Sequence, residues 1–139
     1  AAAGSELDGV PLALPALTRA VKFGRRAARV GFDWRNATDA LVKVDEELAE
    51  LREAVAADDQ PSRIEAEIGD LLFAITNVCR HVGVDPERAL RGANGRFESR
   101  FRAMEQEAAT DGQDLSDLDL EELDRLWNRA KHRERQSPQ

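Results

Sequence analysis

Hydrophobic residues recur along most of this chain at alternating spacings of three and four, which is the period of an amphipathic α-helix. Between residues 36 and 58 these positions are Leu41, Val44, Leu48, Leu51 and Val55. After Pro61 they are Ile64, Ile68, Leu71, Leu72, Ile75, Cys79 and Val82. No segment shows the strict alternation of a half-buried β-strand, so the pattern predicts an all-α fold.

Residues that begin and end helices divide the chain into about five helices. The expected ranges are 15–29, 36–58, 61–82, 86–111 and 120–132. Asn36 or Thr38 is expected to cap the second helix, and Pro61-Ser62-x-x-Glu65 matches a capping box at the start of the third. Gly83 is expected to end the third helix, and Asp85 is expected to cap the fourth.

Short connections between these helices favour antiparallel packing, so we expect one antiparallel helical bundle. It should occupy residues 10–133, with flexible segments at residues 1–9 and 134–139. The apolar faces of the second and third helices are wide, and aromatic residues make up only 5% of the chain. We therefore expect a partner subunit to cover one face of the bundle.

Composition and charge argue against some classes of partner for this chain. Its net charge of −7 argues against a nucleic-acid surface, which needs an accumulated positive stripe. The sequence contains no run of eighteen apolar residues and no signal-peptide pattern, so no membrane partner and a cytoplasmic location are expected. Its one cysteine, Cys79, lies on an apolar helix face and is expected to be a buried core thiol.

Two acidic motifs twenty residues apart carry the predicted chemistry. They are Glu46-Glu47-Leu48-Ala49-Glu50 and Glu67-Ile68-Gly69-Asp70. An i,i+3 pair on a helix is separated by about 4.5 Å along the axis and about 60° around it, so each motif presents two carboxylates on one face. Four carboxylates that converge from two helices repel each other unless a cation lies between them, and Mg²⁺ is the hard ion that suits oxygen ligands.

Basic and aromatic residues in the last two predicted helices suggest the class of substrate that such an ion would bind. Mg²⁺ in proteins is usually held by carboxylates together with substrate phosphates, which points to a phosphorylated substrate. Arg96 and Arg100 are i,i+4 neighbours on the fourth helix, and Trp127 and Lys131 repeat that spacing on the fifth. Taken alone, the two arginines would more often be surface charges that balance Glu98 or Glu105, and Trp127 would more often be a core residue.

The combination of motifs resembles the all-α nucleoside triphosphate pyrophosphohydrolases, and the MazG family in particular. The signature is EExxE followed by ExxD, here Glu46 to Glu50 and Glu67 to Asp70. Four further segments resemble the second, catalytic repeat of two-repeat MazG proteins: Leu14-Pro15-Ala16-Leu17, Val30-Gly31-Phe32-Asp33-Trp34, residues 93–101 with Arg96 and Arg100, and the pair Trp127 and Lys131.

The resemblance implies roles for named residues. Those that should ligate Mg²⁺, with Mn²⁺ as a possible substitute, are Glu47, Glu50, Glu67 and Asp70, with Glu46 as an auxiliary acid. Those that should meet the substrate are Arg96, Arg100 and Lys131 at the triphosphate and Trp127 and Trp34 at the base or sugar. The family often has lysine where Arg96 stands, and the planar guanidinium need not deliver its charge to the same point.

The resemblance also implies an activity and an assembly. The activity is Mg²⁺-dependent hydrolysis of a nucleoside triphosphate to the monophosphate and pyrophosphate, in house-cleaning of the nucleotide pool, by a tight homodimer. Water would attack the α-phosphorus, and either Glu47 or Glu50 would orient or deprotonate it. The sequence does not separate these two residues.

Two other classes of protein use acidic helices. A carboxylate-bridged di-iron bundle needs a Glu-x-x-His pair on each of two helices, but neither His81 nor His132 follows an acid by three residues. A non-catalytic dimerisation or regulatory module could keep the acids as a solvated or vestigial site. The phosphate-binding and base-binding residues that match the family argue against this second alternative.

Overall fold

The structure, a computed structural model, describes residues 4–136. Over these residues it contains five α-helices, one short 3₁₀-helix and no β-strand, which confirms the predicted all-α class. The helices are α1 (Ala16–Arg29), α2 (Ala37–Ala56), α3 (Pro61–Val82), α4 (Pro86–Thr110) and α5 (Leu120–Gln136), and the 3₁₀-helix is Leu115–Asp117. The outer parts of the two predicted flexible ends, residues 1–3 and 137–139, lie outside the described residues.

Three of the predicted helix boundaries are confirmed by their hydrogen bonds and backbone angles. Asn36 caps α2, because its Oδ1 accepts a hydrogen bond of 2.8 Å from the backbone N–H of Asp39. Gly83 ends α3 in the left-handed region, at φ 73°. Asp85 accepts a hydrogen bond of 3.0 Å from the backbone N–H of Glu87 in the first turn of α4.

The capping box predicted at Ser62 and Glu65 is wrong. Helix α3 begins two residues earlier than that motif requires, with Pro61 in its first turn and Gln60 in the cap position, and no side chain caps it. Proline has a φ angle already suited to the first helical position and forces the preceding residue to be extended. Gln60 therefore takes the cap position, with ψ 143°, and Ser62 is already inside the helix.

The chain forms two compact units, the first ending at Ala89 and the second beginning at Leu90. In the first unit, hereafter the N-terminal unit, the short connection of residues 57–60 folds α3 back along α2, and α1 packs on α3. Gly24 makes the α1–α3 contact possible. A Cβ atom there would lie 2.8 Å from Oδ1 of Asn77 and 2.7 Å from Nε of Arg80, so any other residue at this position would force these two side chains to move.

The hydrophobic pattern of α2 and α3 predicts the wrong buried face. Six of the large side chains expected in the core are half exposed: Leu41, Val55, Ile68, Leu72, Ile75 and Val82. The buried positions are small or polar instead: Ala40, Glu47 and Ala54 on α2, and Glu67, Ala74, Thr76 and Asn77 on α3. Small side chains let the two helices approach closely, and the large apolar side chains are left outside that contact.

The second, C-terminal unit is a pair of antiparallel helices. Its core consists of Met104, Ala108 and Leu126, with Leu115, Leu118, Leu123 and Trp127 packed around them. Two ion pairs show the antiparallel direction, because the earlier residue of α4 pairs with the later residue of α5: Arg100 to Glu134 at 2.7 Å and Glu107 to Arg129 at 2.8 Å. Phe97 and Phe101 of α4 lie outside this core, with 58% and 40% of their surface exposed.

No helix within residues 4–136 is both long enough and apolar enough to span a lipid bilayer.

Candidate metal centre and substrate-binding residues

Three of the four predicted metal ligands converge in the N-terminal unit. Glu47 and Glu50 of α2 and Glu67 of α3 each place a carboxylate oxygen within 4.8 Å of the other two. We call this group the acidic cluster. The i,i+3 spacing on α2 sets Glu47 and Glu50 on one face, and the packing of α3 against α2 brings Glu67 to them.

Two members of the acidic cluster are buried, and each is paired through one oxygen only. The side chain of Glu47 is 8% exposed, and its Oε1 lies 3.0 Å from Nζ of Lys43. The side chain of Glu67 is 10% exposed, and its Oε1 accepts a hydrogen bond of 3.2 Å from Nε of Arg63. In both cases the basic residue precedes the acid by four positions on the same helix, one turn away.

The second oxygen of each buried carboxylate has no partner. Oε2 of Glu47 and Oε2 of Glu67 are both buried and make no hydrogen bond within the described residues. A buried carboxylate oxygen without a partner is costly, so such atoms are normally satisfied by a donor, a water or an ion. These two unpartnered oxygens lie beside the exposed carboxylate of Glu50, and a hard divalent cation binds oxygen ligands of this kind.

Electrostatics at the acidic cluster favour a cation. The negative charge of Glu47 and then that of Glu67 raise the pKa of Glu50 above its ordinary value, although Glu50 is exposed. On the same face the Glu47 carboxylate raises the pKa of Lys43. A divalent ion would reverse the effect on Glu50, because positive charge beside a carboxyl group favours its ionised form.

The remaining predicted acids lie at the edge of this arrangement. Asp70 is exposed on α3, one turn after Glu67, and does not belong to the acidic cluster. Glu46 is exposed on α2, with its Oε2 3.6 Å from Nζ of Lys43. Their roles as a fourth ligand and an auxiliary acid stay predictions.

The predicted phosphate-binding residues belong to the C-terminal unit. Arg100 is mostly buried and already paired, since its Nε donates a hydrogen bond of 2.7 Å to Oε2 of Glu134. The arginine accordingly holds the pKa of Glu134 below its usual range. Arg96 is exposed, and Lys131 is half-buried on α5.

The position of Trp127 is compatible with both interpretations that the sequence left open, core packing and contact with the substrate. It packs against the core of Met104, Ala108 and Leu126, and its ring centroid lies 5.6 Å from that of Phe97. It is only half-buried, and the guanidinium of Arg100 lies over its ring at 5.3 Å. The ring therefore has a core-facing part and an accessible part, and substrate stacking stays a prediction.

Trp34 lies on the α1–α2 connection, which polar contacts fix to α3. Its backbone N–H donates to Oδ1 of Asp33 at 2.8 Å, and Asp33 also accepts a hydrogen bond of 3.0 Å from Nη1 of Arg80. Nε2 of His81 lies 3.0 Å from the same Oδ1. The hydrogen bond from Arg80, followed by that from His81, lowers the pKa of Asp33 to about 2, against an opposing effect of burial.

A cavity of about 310 Å³ in the N-terminal unit contains none of the predicted site residues. It lies between α1 and the C-terminal end of α3, where Lys22, Arg25 and Arg80 contribute to its lining. Cys79 also lines it and is half-buried, so the expectation of a fully buried thiol is wrong. Desolvation nonetheless raises the pKa of this thiol.

Sequence reasoning missed three residues that contact the predicted site. Lys43 and Arg63 pair with the buried acids, and Glu134 pairs with Arg100. The first two carried a signal, because a base four residues before an acid is a favourable helix pair. Glu134 carried none, since its contact with Arg100 joins residues 34 positions apart.

The fold is all-α, and carboxylates from two paired helices converge in it. Two of these carboxylates are buried, and each of the two has one oxygen without a partner within the described residues. These features define a helical protein equipped to hold a metal ion. The sequence model of one such family, phosphoribosyl-ATP pyrophosphohydrolase, matches residues 17–96. The chain belongs to this family. The matched range includes both acidic motifs and ends at Arg96.

Three relatives are similar over most of the chain. A nucleoside triphosphate pyrophosphohydrolase of Escherichia coli K12 is 44% identical over 131 residues, covering 94% of this chain and 50% of the relative. The nucleoside triphosphate pyrophosphohydrolase/pyrophosphatase MazG of Thermotoga maritima is 44% identical over 118 residues, 85% of this chain and 45% of the relative. The uncharacterized protein YabN of Bacillus subtilis is 44% identical over 133 residues, 96% of this chain and 27% of that protein.

These similarities confirm the resemblance at the level of the family. The chain spans about half the length of the Escherichia coli and Thermotoga maritima relatives that it matches.

Proposed function

We propose that this chain hydrolyses nucleoside triphosphates, NTP or dNTP, to the monophosphate and pyrophosphate. The observation that carries the proposal is the acidic cluster, with its two buried and unpartnered carboxylate oxygens. The names of the Escherichia coli and Thermotoga maritima relatives support the same reaction.

The acids of α2 and α3 are the proposed holders of Mg²⁺. Glu47, Glu50 and Glu67 would ligate it, with the exposed Asp70 joining when the substrate is bound. When bound, the ion would lower the pKa of the attacking water and neutralise the oxygens of the departing pyrophosphate. Neither histidine of the chain belongs to the acidic cluster, which disfavours the di-iron alternative.

Glu50 is the better of the two candidates for orienting the attacking water. Glu47 is buried and engaged by Lys43, whereas Glu50 is exposed and has no ion pair within the described residues. Glu46, whose Oε2 lies 3.6 Å from Nζ of Lys43, would act only as an auxiliary acid.

The polyphosphate chain is assigned to Arg96, Arg100 and Lys131. Arg100 would exchange the carboxylate of Glu134 for a phosphate, which is an equivalent bidentate acceptor for a guanidinium. Trp127 and Trp34 would contact the base or sugar. Stacking accepts any ring, so these residues set no base preference.

The family name raises phosphoribosyl-ATP as a second candidate substrate. Its hydrolysis would use the same acids, because it also releases pyrophosphate from a triphosphate-bearing nucleotide. We favour nucleoside triphosphates, because the relatives that carry that name are similar over 85–94% of this chain.

A substrate panel in ¹⁸O-labelled water tests the proposal. The eight common NTPs and dNTPs and phosphoribosyl-ATP would each be incubated with Mg²⁺, and orthophosphate and pyrophosphate would be measured separately. We expect pyrophosphate as the product, with the ¹⁸O label in the nucleoside monophosphate. Release of orthophosphate with a diphosphate would contradict the assignment, and turnover of phosphoribosyl-ATP alone would select the second substrate.

Further parts of the proposal concern the context of the enzyme. We propose that the chain corresponds to the second, catalytic repeat of a MazG protein and acts in house-cleaning of the cytoplasmic nucleotide pool, without nucleic-acid or membrane partners.

We also propose a homodimer, because large apolar side chains of α2 and α3 are half exposed, among them Leu41, Val55 and Leu72. Light scattering after gel filtration would measure the oligomeric state.

The non-catalytic alternative predicts a different result in a binding experiment. A regulatory module with a vestigial site would bind neither Mg²⁺ nor a non-hydrolysable triphosphate, or would bind the nucleotide without turning it over. Calorimetry with Mg²⁺ and such an analogue, beside the turnover assay, separates the two readings.

A further inference from the structure

Both buried acids of the acidic cluster form the same kind of ion pair with a base on their own helix. Lys43 precedes Glu47 by four residues on α2, and Arg63 precedes Glu67 by four residues on α3. Each base contacts Oε1 of its acid, at 3.0 Å and 3.2 Å, and Oε2 of the same acid is left buried without a partner. The arrangement therefore occurs twice, once on each helix that contributes to the cluster.

The two bases change the charge that a metal ion would meet. Glu47, Glu50 and Glu67 alone would present three negative charges within a few ångströms. With Lys43 and Arg63 included, these five side chains carry one net negative charge. The bases are also the exposed partners, at 38% and 56% of their side-chain surface, against 8% and 10% for their acids.

We propose that Lys43 and Arg63 are built-in counter-ions of the acidic cluster: they hold it folded without metal and weaken its affinity for free divalent ions. The nucleotide's own phosphates would then contribute much of the attraction for the metal. This inference rests on the proposed function, because it takes the acidic cluster to be a metal site.

Two physical effects support this role. A buried carboxylate that loses its only cation is strongly destabilising, so the pairs stabilise the metal-free protein. A positive charge near a bound divalent ion opposes binding, because like charges repel at short range. The exposed ends of Lys43 and Arg63 can turn into solvent when a metal replaces them, while the buried acids stay in place.

Metal binding without nucleotide tests the inference. Mg²⁺ and Mn²⁺ would be titrated calorimetrically into the wild-type protein and into Lys43→Met, Arg63→Met and the matched control Arg52→Met. Arg52 is an exposed cation of α2 that makes no ion pair within residues 4–136, so its removal changes the net charge equally. We expect the first two variants to bind the metal about three- to tenfold more tightly than the control.

The melting temperature gives a second readout that does not require turnover. Lys43→Met and Arg63→Met should melt below Arg52→Met without metal, and saturating Mg²⁺ should reduce that difference. If Lys43 acts through Glu47, adding Lys43→Met to a Glu47→Gln protein should lower the melting temperature less than it does in the wild type. This comparison remains informative if either single variant is too unstable for calorimetry.

The outcomes separate this inference from the proposed function. If the wild-type protein binds neither Mg²⁺ nor Mn²⁺, with or without a triphosphate, the proposed function fails. If it binds metal but Lys43→Met and Arg63→Met bind no more tightly than Arg52→Met, or more weakly, the counter-ion inference is overturned and the proposed function stands.

Discussion

The ion pairs of the proposed site residues are arranged in opposite ways in the two units. In the N-terminal unit the acids Glu47 and Glu67 are buried, and their basic partners Lys43 and Arg63 are the more exposed members. In the C-terminal unit the base Arg100 is the mostly buried member, and its acid Glu134 is the more exposed one. Among these pairs, the first unit shields negative charge from water, whereas the second shields positive charge.

The same contrast distinguishes the proposed metal ligands from the proposed phosphate ligands. The proposed metal ligands lie on α2 and α3, where two buried carboxylate oxygens have no partner within the described residues. Among the proposed phosphate ligands, Arg100 is already paired, and it would have to leave Glu134 before it could bind a phosphate. Changes to the proposed metal ligands should therefore abolish activity, and changes to the proposed phosphate ligands should adjust substrate affinity.

The largest effect is expected from Glu67→Ala. Removing this buried ligand should lower kcat/KM by more than about a hundredfold, since losing even outer partners of metal ligands typically costs 10–100-fold. The helical content should be retained. Glu65→Ala, which removes an exposed acid of the same helix, should leave kcat/KM within about twofold. Activity of Glu67→Ala within threefold of wild type would remove the acidic cluster from catalysis.

Trp127→Ala should affect both substrate affinity and stability. Loss of stacking is worth about 1–3 kcal/mol, so KM should rise by roughly five- to 150-fold while kcat changes little. The melting temperature should also fall, because the ring packs on Met104, Ala108 and Leu126.

Trp127→Phe serves as the control for that variant, since it retains an aromatic face. It should keep most of the substrate affinity. A Trp127→Ala protein that melts early but binds substrate normally would assign Trp127 to the core alone.

Asp33→Asn tests the stability that a partly solvated pair of the N-terminal unit contributes. Since the hydrogen bond from Arg80 lowers the pKa of Asp33 from 3.8 to about 2, and solvent screens this exposed residue, its ionised form contributes at most about 2 kcal/mol of stability above pH 4. That contribution should disappear as the pH falls from about 4 to about 2. The variant should therefore be less stable at neutral pH and lose less stability over that acid range.

Asp45→Asn is the matched control, because Asp45 is exposed and has no ion pair within residues 4–136. Its urea-unfolding free energy should follow that of the wild type at every pH. Equal acid dependence of Asp33→Asn and wild type would show that the Asp33–Arg80 pair does not stabilise the unit.

The smallest effect is expected from Glu134→Gln. Removing the acid that competes for Arg100 should lower KM by about two- to fivefold, with kcat nearly unchanged. Stability should change little, since this ion pair is partly solvated. Asp124→Asn, an exposed acid of the same helix, is the control. An increase in KM would mean that Glu134 holds Arg100 in the orientation that the substrate needs.

Local features of the chain were predictable because they depend on neighbours in sequence. The caps at Asn36 and Asp85 and the end of α3 at Gly83 follow from side-chain and backbone chemistry within a few residues. The i,i+3 spacing of Glu47 and Glu50 likewise follows from the geometry of a single helix. The family was recognisable from the joint occurrence of such short motifs, whereas the roles of the site residues stay predictions.

Only the tertiary structure decided which face of each helix is buried. Periodicity identified Leu41, Val55 and Ile68 as apolar, but the helices approach through small side chains such as Ala54 and Ala74. The acids Glu47 and Glu67 share that closely packed face, which buries them and leaves one oxygen of each without a partner. Burial depends on how two distant segments fit together, and a periodic pattern along one segment carries no information about the shape of the other.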